Sequence, residues 1–522
     1  MQATSSVRTV PLQELSFFSK TFLDYISGNP KLSSFYGNTP EAENFAAQIS
    51  VKLFTEEKRQ TLVNALSHQY KDLSITKEVS ANIASLLKPN TYTVTTGHQL
   101  NIFGGPLYFI YKIITTINTA KILNQKDPSH HIVPVFWMAS EDHDFEEINH
   151  FNLFGKTWKW ETEQKGAVGR FNPEGICEIL DALPERIPLF EKAYRENKTL
   201  ADATRYFVNE LFGKDGLVIL DADDKSLKKE FSFVVRDELT KHSSHALVEK
   251  TSAALEAAGY EAQVHARAIN LFYLENGLRE RILKEGDHYK INNTNLVFSE
   301  KEFLEKAENE PEKFSPNVVL RPLYQECILP NLAYLGGPAE VVYWLQLKAV
   351  FDHFKVPFPI LMPRNFALWL NKANQQKLSK LSLDLSDLFV PADQLKNNYL
   401  LKITEAEFKL EQERDVLKTL FESIKEKAGA IDKTMEAAVL GELQKSLKIL
   451  EDLEKRLKKA EERKNETVLT QLMNLKEKLF PGGGLQERSD NFLSFHLNNE
   501  AFLANIKNTF DPFHYSFYLL SE

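Results

Sequence analysis

The sequence predicts an α/β fold, a parallel doubly wound sheet carrying helical insertions and a long antiparallel helical arm. Three observations carry that expectation. Short apolar runs alternate with amphipathic stretches through the N-terminal part, as in successive βα units. Leu and Ile then recur seven residues apart amid Glu and Lys, the spacing of a coiled coil. At 522 residues the chain exceeds what one core usually organises, so a main domain with an appendage is expected.

Taken in order, residues 1 to about 88 read as helices broken by polar turns, for instance Glu41–Leu53 and Glu56–Tyr70. Thr91–Thr96 (TYTVTT) is β-branched and aromatic and ends at Gly97. A long amphipathic helix follows from about Leu107 to Asn124, giving strand, tight loop and helix. His131–Ser140 (HIVPVFWMAS) has the continuous apolar character of a strand buried on both faces, and it breaks into EDHD. Gly216–Leu220 (GLVIL), which stops at DADD, and Asn270–Leu274 (NLFYL) extend the alternation as third and fourth strands. Leu335–Glu340 (LGGPAE) opens a helical stretch Val341–Phe354, and Pro357–Met362 (PFPILM) reads as another buried strand.

From about residue 397 the texture changes. Leu410, Leu417 and Ile424 are seven apart, as are Leu443, Leu450 and Leu457. Gly429 and Gly441 are expected to interrupt this seam, leaving helices of about 402–426 and 432–479, the second roughly 70 Å long at 1.5 Å per residue. Pro481 and the glycines at 482–484 then end the helix. The expected domains are a core over 1–396, the arm over 397–480, and a segment over 481–522 that returns to the core.

Lys plus Arg number 63 against 72 Asp plus Glu, a formal charge of -9 that opposes binding to phosphate backbones, so nucleic acid is not an expected partner. The two cysteines, Cys177 and Cys327, have neither disulfide-framework nor zinc-ligand spacing. The N-terminal stretch MQATSSVRTVPLQELSFFSK lacks the apolar run of a secretory signal, and no stretch is long and apolar enough to span a membrane. A reducing cytoplasm is the expected location.

Four segments can carry chemistry. Thr96–Lys112 (TGHQLNIFGGPLYFIYK) places Gly97, His98, Gln99, Gly105, Tyr108 and Lys112 in a strand-to-helix loop. Such a loop suits a phosphate or carboxylate, although it matches neither GxGxxG nor the Walker A spacing. Turn glycines around a buried His98 are its structural alternative. Ser140–Asn149 (SEDHDFEEIN) sets Asp142, His143 and Asp144 after a buried strand; these residues can transfer protons, and Asp142 with Asp144 can hold Mg²⁺ through oxygen. A charged helix cap is the alternative there. Leu320–Glu340 (LRPLYQECILPNLAYLGGPAE) joins Arg321, Tyr324 and Gln325 to Gly336, Gly337 and Glu340, with Arg321 able to clamp a carboxylate or simply to form a salt bridge. Cys327 within it reads as a small buried hydrophobe. Met362–Asn365 (MPRN) and Pro481–Arg488 (PGGGLQER) bring Arg364, Asn365, Gly483, Gly484 and Arg488, each pairing an arginine with a chain reversal. Asp221–Asp224 (DADD) reads as a solvated turn.

In this order and separation, TGHQLNIFGGPLYFIYK, VPVFWMASEDHDFEEINH, RPLYQECILPNLAYLGGPAEVVYW and FPGGGLQER, together with the heptad-rich insertion, resemble the BshC family over essentially the whole chain. The resemblance implies a Rossmann-like core, a coiled-coil arm that makes a homodimer, and the joining of cysteine to glucosaminyl-malate to give bacillithiol. Amide formation requires an activated carboxyl, hence ATP (leaving ADP or AMP) and Mg²⁺ as expected cofactors. Under that reading loop 97–106 and Gly336–Glu340 bind substrate or phosphate. Asp142, His143 and Asp144 act as base or metal ligands, and Arg321 and Arg364 neutralise carboxylate or phosphate. The HxGH and KMSKS patterns of class I adenylate-forming synthetases are absent. Two rivals remain open: a metal-dependent hydrolase or phosphotransferase using EDHD, and a nucleotide-gated interaction protein whose coiled coil is the working part.

Overall fold

A computed structural model describes residues 7–404 and 409–521. It divides into two compact units. The first runs to Trp369 and resumes over Gln486–Leu520; the second is Leu370–Leu485.

The first unit is built on five parallel strands: β1 (Thr91–His98), β2 (His131–Met138), β3 (Val218–Asp221), β4 (Asn331–Gly336) and β5 (Ile360–Pro363). They lie in the order β3-β2-β1-β4-β5. This is the strand order of the dinucleotide-binding Rossmann folds. Seven of the eight residues in each of β1 and β2 are buried, so both faces of the sheet are covered, which is why these runs lack polar alternation.

On one face Tyr92, Val94, Ile132, Leu335, Ile360 and Met362 share an apolar cluster with Phe45 and Leu123. The other face of β1 carries threonines. Thr93 and Thr95 donate to Asn331 Oδ1 at 3.1 and 2.8 Å, and Asn331 Nδ2 donates to Glu326 Oε1 at 2.6 Å. Glu326 pairs in turn with buried Lys52 at 2.6 Å. This ladder satisfies polar groups that would otherwise be costly inside the sheet layers and fixes β4 beside β1.

The crossover helix α1 (Tyr108–Lys126) is buried nearly all round, and its Ala120 and Leu123 join the apolar cluster on the sheet. Its buried Thr115, Thr116 and Thr119 hydroxyls donate to carbonyls four residues back at 2.7–2.8 Å. Helix α2 (Arg321–Ile328) precedes β4, and α3 (Pro338–Trp344) follows it with Pro at its first turn.

Two expectations for this unit need correction. Asn270–Leu274 does not join the parallel sheet. Leu271–Glu275 belongs to a separate five-stranded sheet with Leu278–Glu285, His288–Ile291, Val297–Ser299 and Phe314–Pro316, and each of its pairings is antiparallel. A short apolar run does not say which sheet it completes. Conversely, β4 lies within ILPNLAYLGG, where only the helix start was legible, because six buried residues next to a Gly-Gly-Pro turn resemble a loop.

In the second unit α4 (Glu411–Ile431) and α5 (Met435–Lys464) are joined by a tight turn, and Arg414 pairs with Glu454 at 2.8 Å, as antiparallel partners do. Gly429 and Gly441 do not interrupt them. At Gly429 a Cβ would strike the Glu436 side chain, so glycine permits a close approach beside the turn. The long helix expected over 432–479 is instead broken at Asn465, and α6 (Glu466–Leu479) carries it to Phe480 and Pro481. The expected first arm helix crosses 405–408, which lie outside the described residues; Ala392–Ile403 forms a separate helix before them. No helix among the described residues is long and apolar enough to cross a membrane.

Candidate active site

Strand order reverses between β1 and β4, and in open α/β sheets ligands bind beyond the carboxyl ends of the strands at such a switch point. Lys112 of α1 reaches back to that end of β1. Its Nζ donates to Gly97 O at 2.9 Å and pairs with Glu340 at 2.5 Å. Glu340 also accepts from Tyr334 Oη at 2.6 Å and from the Gly337 amide at 2.7 Å, capping α3. Burial opposes ionisation of Glu340, but Lys112, Tyr334 and the Gly337 amide hold its carboxyl down to about 2. Burial also lowers the Lys112 ammonium against the pull of Glu340.

Three enclosed donors border this pair without an acceptor among the described residues: His98 Nε2, Arg321 Nη2 and Arg364 Nε. His98 Nδ1 accepts from the Gln99 amide at 2.8 Å, so the ring proton sits on Nε2. Its ring stacks on Tyr108 at 5.2 Å, and burial pushes its pKa down to about 3. Arg321 donates to Gln325 Oε1 at 3.2 Å and lies against the faces of Trp137, Tyr334 and Trp344 at 5.3–5.8 Å. No ion pair of Arg321 is seen among the described residues, and Tyr334, Tyr343 and Glu340 are the polar groups that act on its charge. Arg364 is different, since its Nη2 pairs with fully buried Glu487 at 2.6 Å while its guanidinium covers Tyr108 at 5.2 Å. Exposed Arg488 approaches the Tyr108 ring at 6.0 Å. Among the described residues Lys112, Arg321 and Arg364 thus form ion pairs with two carboxylates, Glu340 and Glu487, leaving an excess positive charge lined by donors without acceptors. That is the composition of an anion pocket.

The loop between β1 and α1 is shaped by Phe103, Gly104 and Gly105, all at positive φ. Gly105 adopts φ 56°, ψ −142°, a region reserved for glycine, and a Cβ there would lie 2.5 Å from Asn101 Cβ. The resulting turn sends Gln99 towards the second motif, where its Nε2 donates to Asp142 Oδ2 at 2.8 Å and Glu147 Oε2 at 2.6 Å.

In that motif Asp142 Oδ1 accepts from the amides of His143 (2.7 Å) and Asp144 (3.3 Å). Burial acts to raise the Asp142 carboxyl, but hydrogen bonds from His143 and Gln99 and the charge of Arg279 hold it far below the usual carboxylate range. His143 is exposed, with Arg279 Nη1 2.8 Å from its Nδ1, and Asp144 is exposed beside it. Among the described residues no three His, Cys, Asp or Glu side chains converge as a ready metal site. An ion held by Asp142 or Asp144 would therefore need oxygens from a ligand, as Mg²⁺ at phosphates commonly does.

DADD is not a solvated turn. Asp223 is paired with Arg170 at 2.8 Å and with Lys228 at 2.9 Å, and Lys228 also meets Glu141 at 2.6 Å. Ser140 donates to Asp221. These charges tie together the ends of β2 and β3.

Several expected residues play supporting parts. Tyr324 is buried, with its hydroxyl donating to Ala222 O at 2.8 Å, and Gln325 links Arg321 to Glu326. Asn365 is spent on Thr115 and on Asp511 O. Gly336 and Gly337 border Glu340, and a Cβ on Gly336 would approach Glu340 Cβ to 3.0 Å. Gly483 and Gly484 belong to the second unit. Cys327 is buried, its thiol pushed up to about 12 by desolvation. Sequence reasoning missed Arg279, which no spacing marks, and Glu487 and Tyr334, which lay unweighed inside quoted motifs.

Two family models match. Residues 6–365 match "Bacillithiol biosynthesis BshC, N-terminal Rossmann-like domain", and 367–522 match the "C-terminal coiled-coil domain" of the same family. The chain is 45% identical over 500 residues to a Flavobacterium johnsoniae protein named "Putative cysteine ligase BshC", covering 94% of each. Same-named proteins of Flavobacterium psychrophilum and Salinibacter ruber are 42% and 32% identical, covering 98% and 94% of this chain and 99% and 93% of theirs. With both models matched in order along its length, the chain belongs to the BshC family of bacillithiol biosynthesis.

Proposed function

We propose that this protein is a ligase that joins L-cysteine to glucosaminyl-malate in an ATP-dependent amide-forming reaction, as the last step of bacillithiol synthesis. The observation that carries the reading is the anion pocket at the switch point, where Arg321 Nη2, Arg364 Nε and His98 Nε2 are enclosed without acceptors. Every participant named brings an anion: the carboxylate of cysteine, the two carboxylates of the malyl group, and the phosphates of ATP. The family membership and the relatives' shared name supply the reaction class.

ATP, when bound, supplies the carboxyl activation that amide formation needs. Arg321, Arg364, His98 and the start of α3 would hold its phosphates or the carboxylate beside them. Glu340 keeps Lys112 fixed, so these donors need not reorganise as charge develops. At the other end Asp142 and Asp144 receive the attacking amine. As the new C–N bond forms and the activating group leaves, the amine loses a proton, which exposed Asp144 can accept. His143 lies between them in the chain and is exposed. Asp142 and Asp144 would hold Mg²⁺, which would supply charge neutralisation for phosphate oxygens. The protein is expected to work in the cytoplasm and as a homodimer through its helical arm.

The test is mass-spectrometric detection of bacillithiol from purified protein with glucosaminyl-malate, cysteine, Mg²⁺ and ATP, and from mixtures lacking each in turn. Product that requires both organic substrates and ATP supports the reading. Turnover of ATP without cysteine would instead favour a hydrolase or phosphotransferase using EDHD.

A further inference from the structure

Arg279 is separated from the EDHD motif by 136 positions and comes from the antiparallel sheet inserted between β3 and β4. Its guanidinium is nevertheless committed to that motif. Nη1 lies 2.8 Å from His143 Nδ1 and 3.8 Å from Asp142 Oδ1. Nε donates to Ser315 Oγ at 3.2 Å, Nη2 to Pro316 O at 3.3 Å, and the group sits 4.0 Å above the Phe272 ring. The His143 ring contacts the same Phe272 at 5.2 Å. Ser315, Pro316 and Phe272 are on paired strands of the inserted sheet, so the guanidinium is fixed on three sides before it meets His143.

A guanidinium offers only donors. His143 Nδ1 also lies 3.5 Å from Asp142 Oδ1, but its contact with the donor-only guanidinium is shorter, at 2.8 Å, so Nδ1 accepts there and the ring proton lies on Nε2. We infer that Arg279 is a positioning residue that fixes the Nε2–H tautomer of His143, so that this imidazole serves the reaction as a hydrogen-bond donor to a substrate oxygen. The inference rests on the proposed role of the EDHD cluster as the reacting end. It goes further by assigning the atom His143 presents and by making the inserted sheet part of the site.

The same logic explains the insertion. A strand pair that merely covered the sheet would not need to bury an arginine at 8% exposure against a histidine. The turn before Arg279 is also tightly seated, since at Gly166, in the loop that follows the strand Lys156–Lys159, a Cβ would lie 2.7 Å from Leu278 N.

The test combines a spectroscopic and a kinetic measurement on the full chain. Ring-¹⁵N histidine correlation spectra report which nitrogen carries the proton, with the His143 signals identified by their loss in His143→Gln. Wild-type protein is expected to show His143 as the Nε2–H tautomer. Arg279→Gln should shift it towards a mixture and lower kcat at least tenfold, with KM for cysteine changed less than threefold; Arg279→Lys, which keeps a donor, should recover part of kcat. An Nδ1–H ring in the wild type, or His143 signals unmoved in Arg279→Gln, would overturn the inference. If the wild type makes no bacillithiol, the ligase reading fails while the tautomer result still decides the role of Arg279. Should Arg279→Gln not fold, Ser315→Ala, which removes one brace of the guanidinium, gives the same readout.

Discussion

Arg321 and Arg364 serve one pocket, yet only Arg364 has a carboxylate partner, buried Glu487 at 2.6 Å. The difference separates a residue that also holds the fold from one that we propose to be held for a ligand. His98 makes a related contrast. Its pKa of about 3 lies below the unfolded value of about 6.5, so the folded chain refuses a proton that the unfolded chain accepts. Stability from this group is complete above about pH 6.5 and is lost as pH falls towards 3. Thermal melts of His98→Gln between pH 7 and pH 4 should therefore fall less steeply than those of the wild type. Equal slopes would show that His98 is not kept unprotonated by the fold.

At the scale of elements, the loop between β1 and α1 is where backbone conformation governs the site. Gly105→Ala would put a methyl group 2.5 Å from Asn101 Cβ in a φ/ψ region that only glycine occupies readily, at a cost of about 1–3 kcal/mol for the backbone alone. A lower melting temperature and impaired turnover are expected together, because the same turn presents Gln99 to Asp142. Much at this scale was legible in the sequence. TYTVTT and HIVPVFWM read as buried strands because both of their faces are apolar or threonine, and the heptads marked the arm. β4 was not legible, because its polar end, Asn331, looked like loop until Thr93, Thr95 and Glu326 were seen to satisfy it. The place of Leu271–Glu275 was hidden too, since strand pairing depends on partners far along the chain.

At the scale of the whole molecule, the strand order β3-β2-β1-β4-β5 brings together motifs that the sequence keeps more than two hundred residues apart. Gly97, Lys112, Arg321, Glu340 and Arg364 were recognisable singly as glycine turns and charges near strand ends. Their assembly around one ion pair follows from the reversal between β1 and β4. The pairing of Arg279 with His143 was beyond reach, because nothing in LRERILKE distinguishes a buried arginine from an exposed one. Likewise DADD looked solvated because one of its cations, Arg170, comes from a distant helical turn over Val168–Arg170, and the other, Lys228, folds back from the short helix Lys225–Lys229.

The account centres on a switch-point pocket whose unpaired donors are held for substrate and not for stability. Its most direct test is to measure kcat/KM for bacillithiol formation and the melting temperature together for Arg321→Met. Removing a donor of this kind is expected to cut turnover by about 10²–10³-fold. The melting temperature should fall only slightly, because no buried carboxylate loses its partner and the buried group that loses a donor is the neutral Gln325 Oε1. Full turnover in this variant, or a loss of turnover accompanied by a matching fall in melting temperature, would contradict the account.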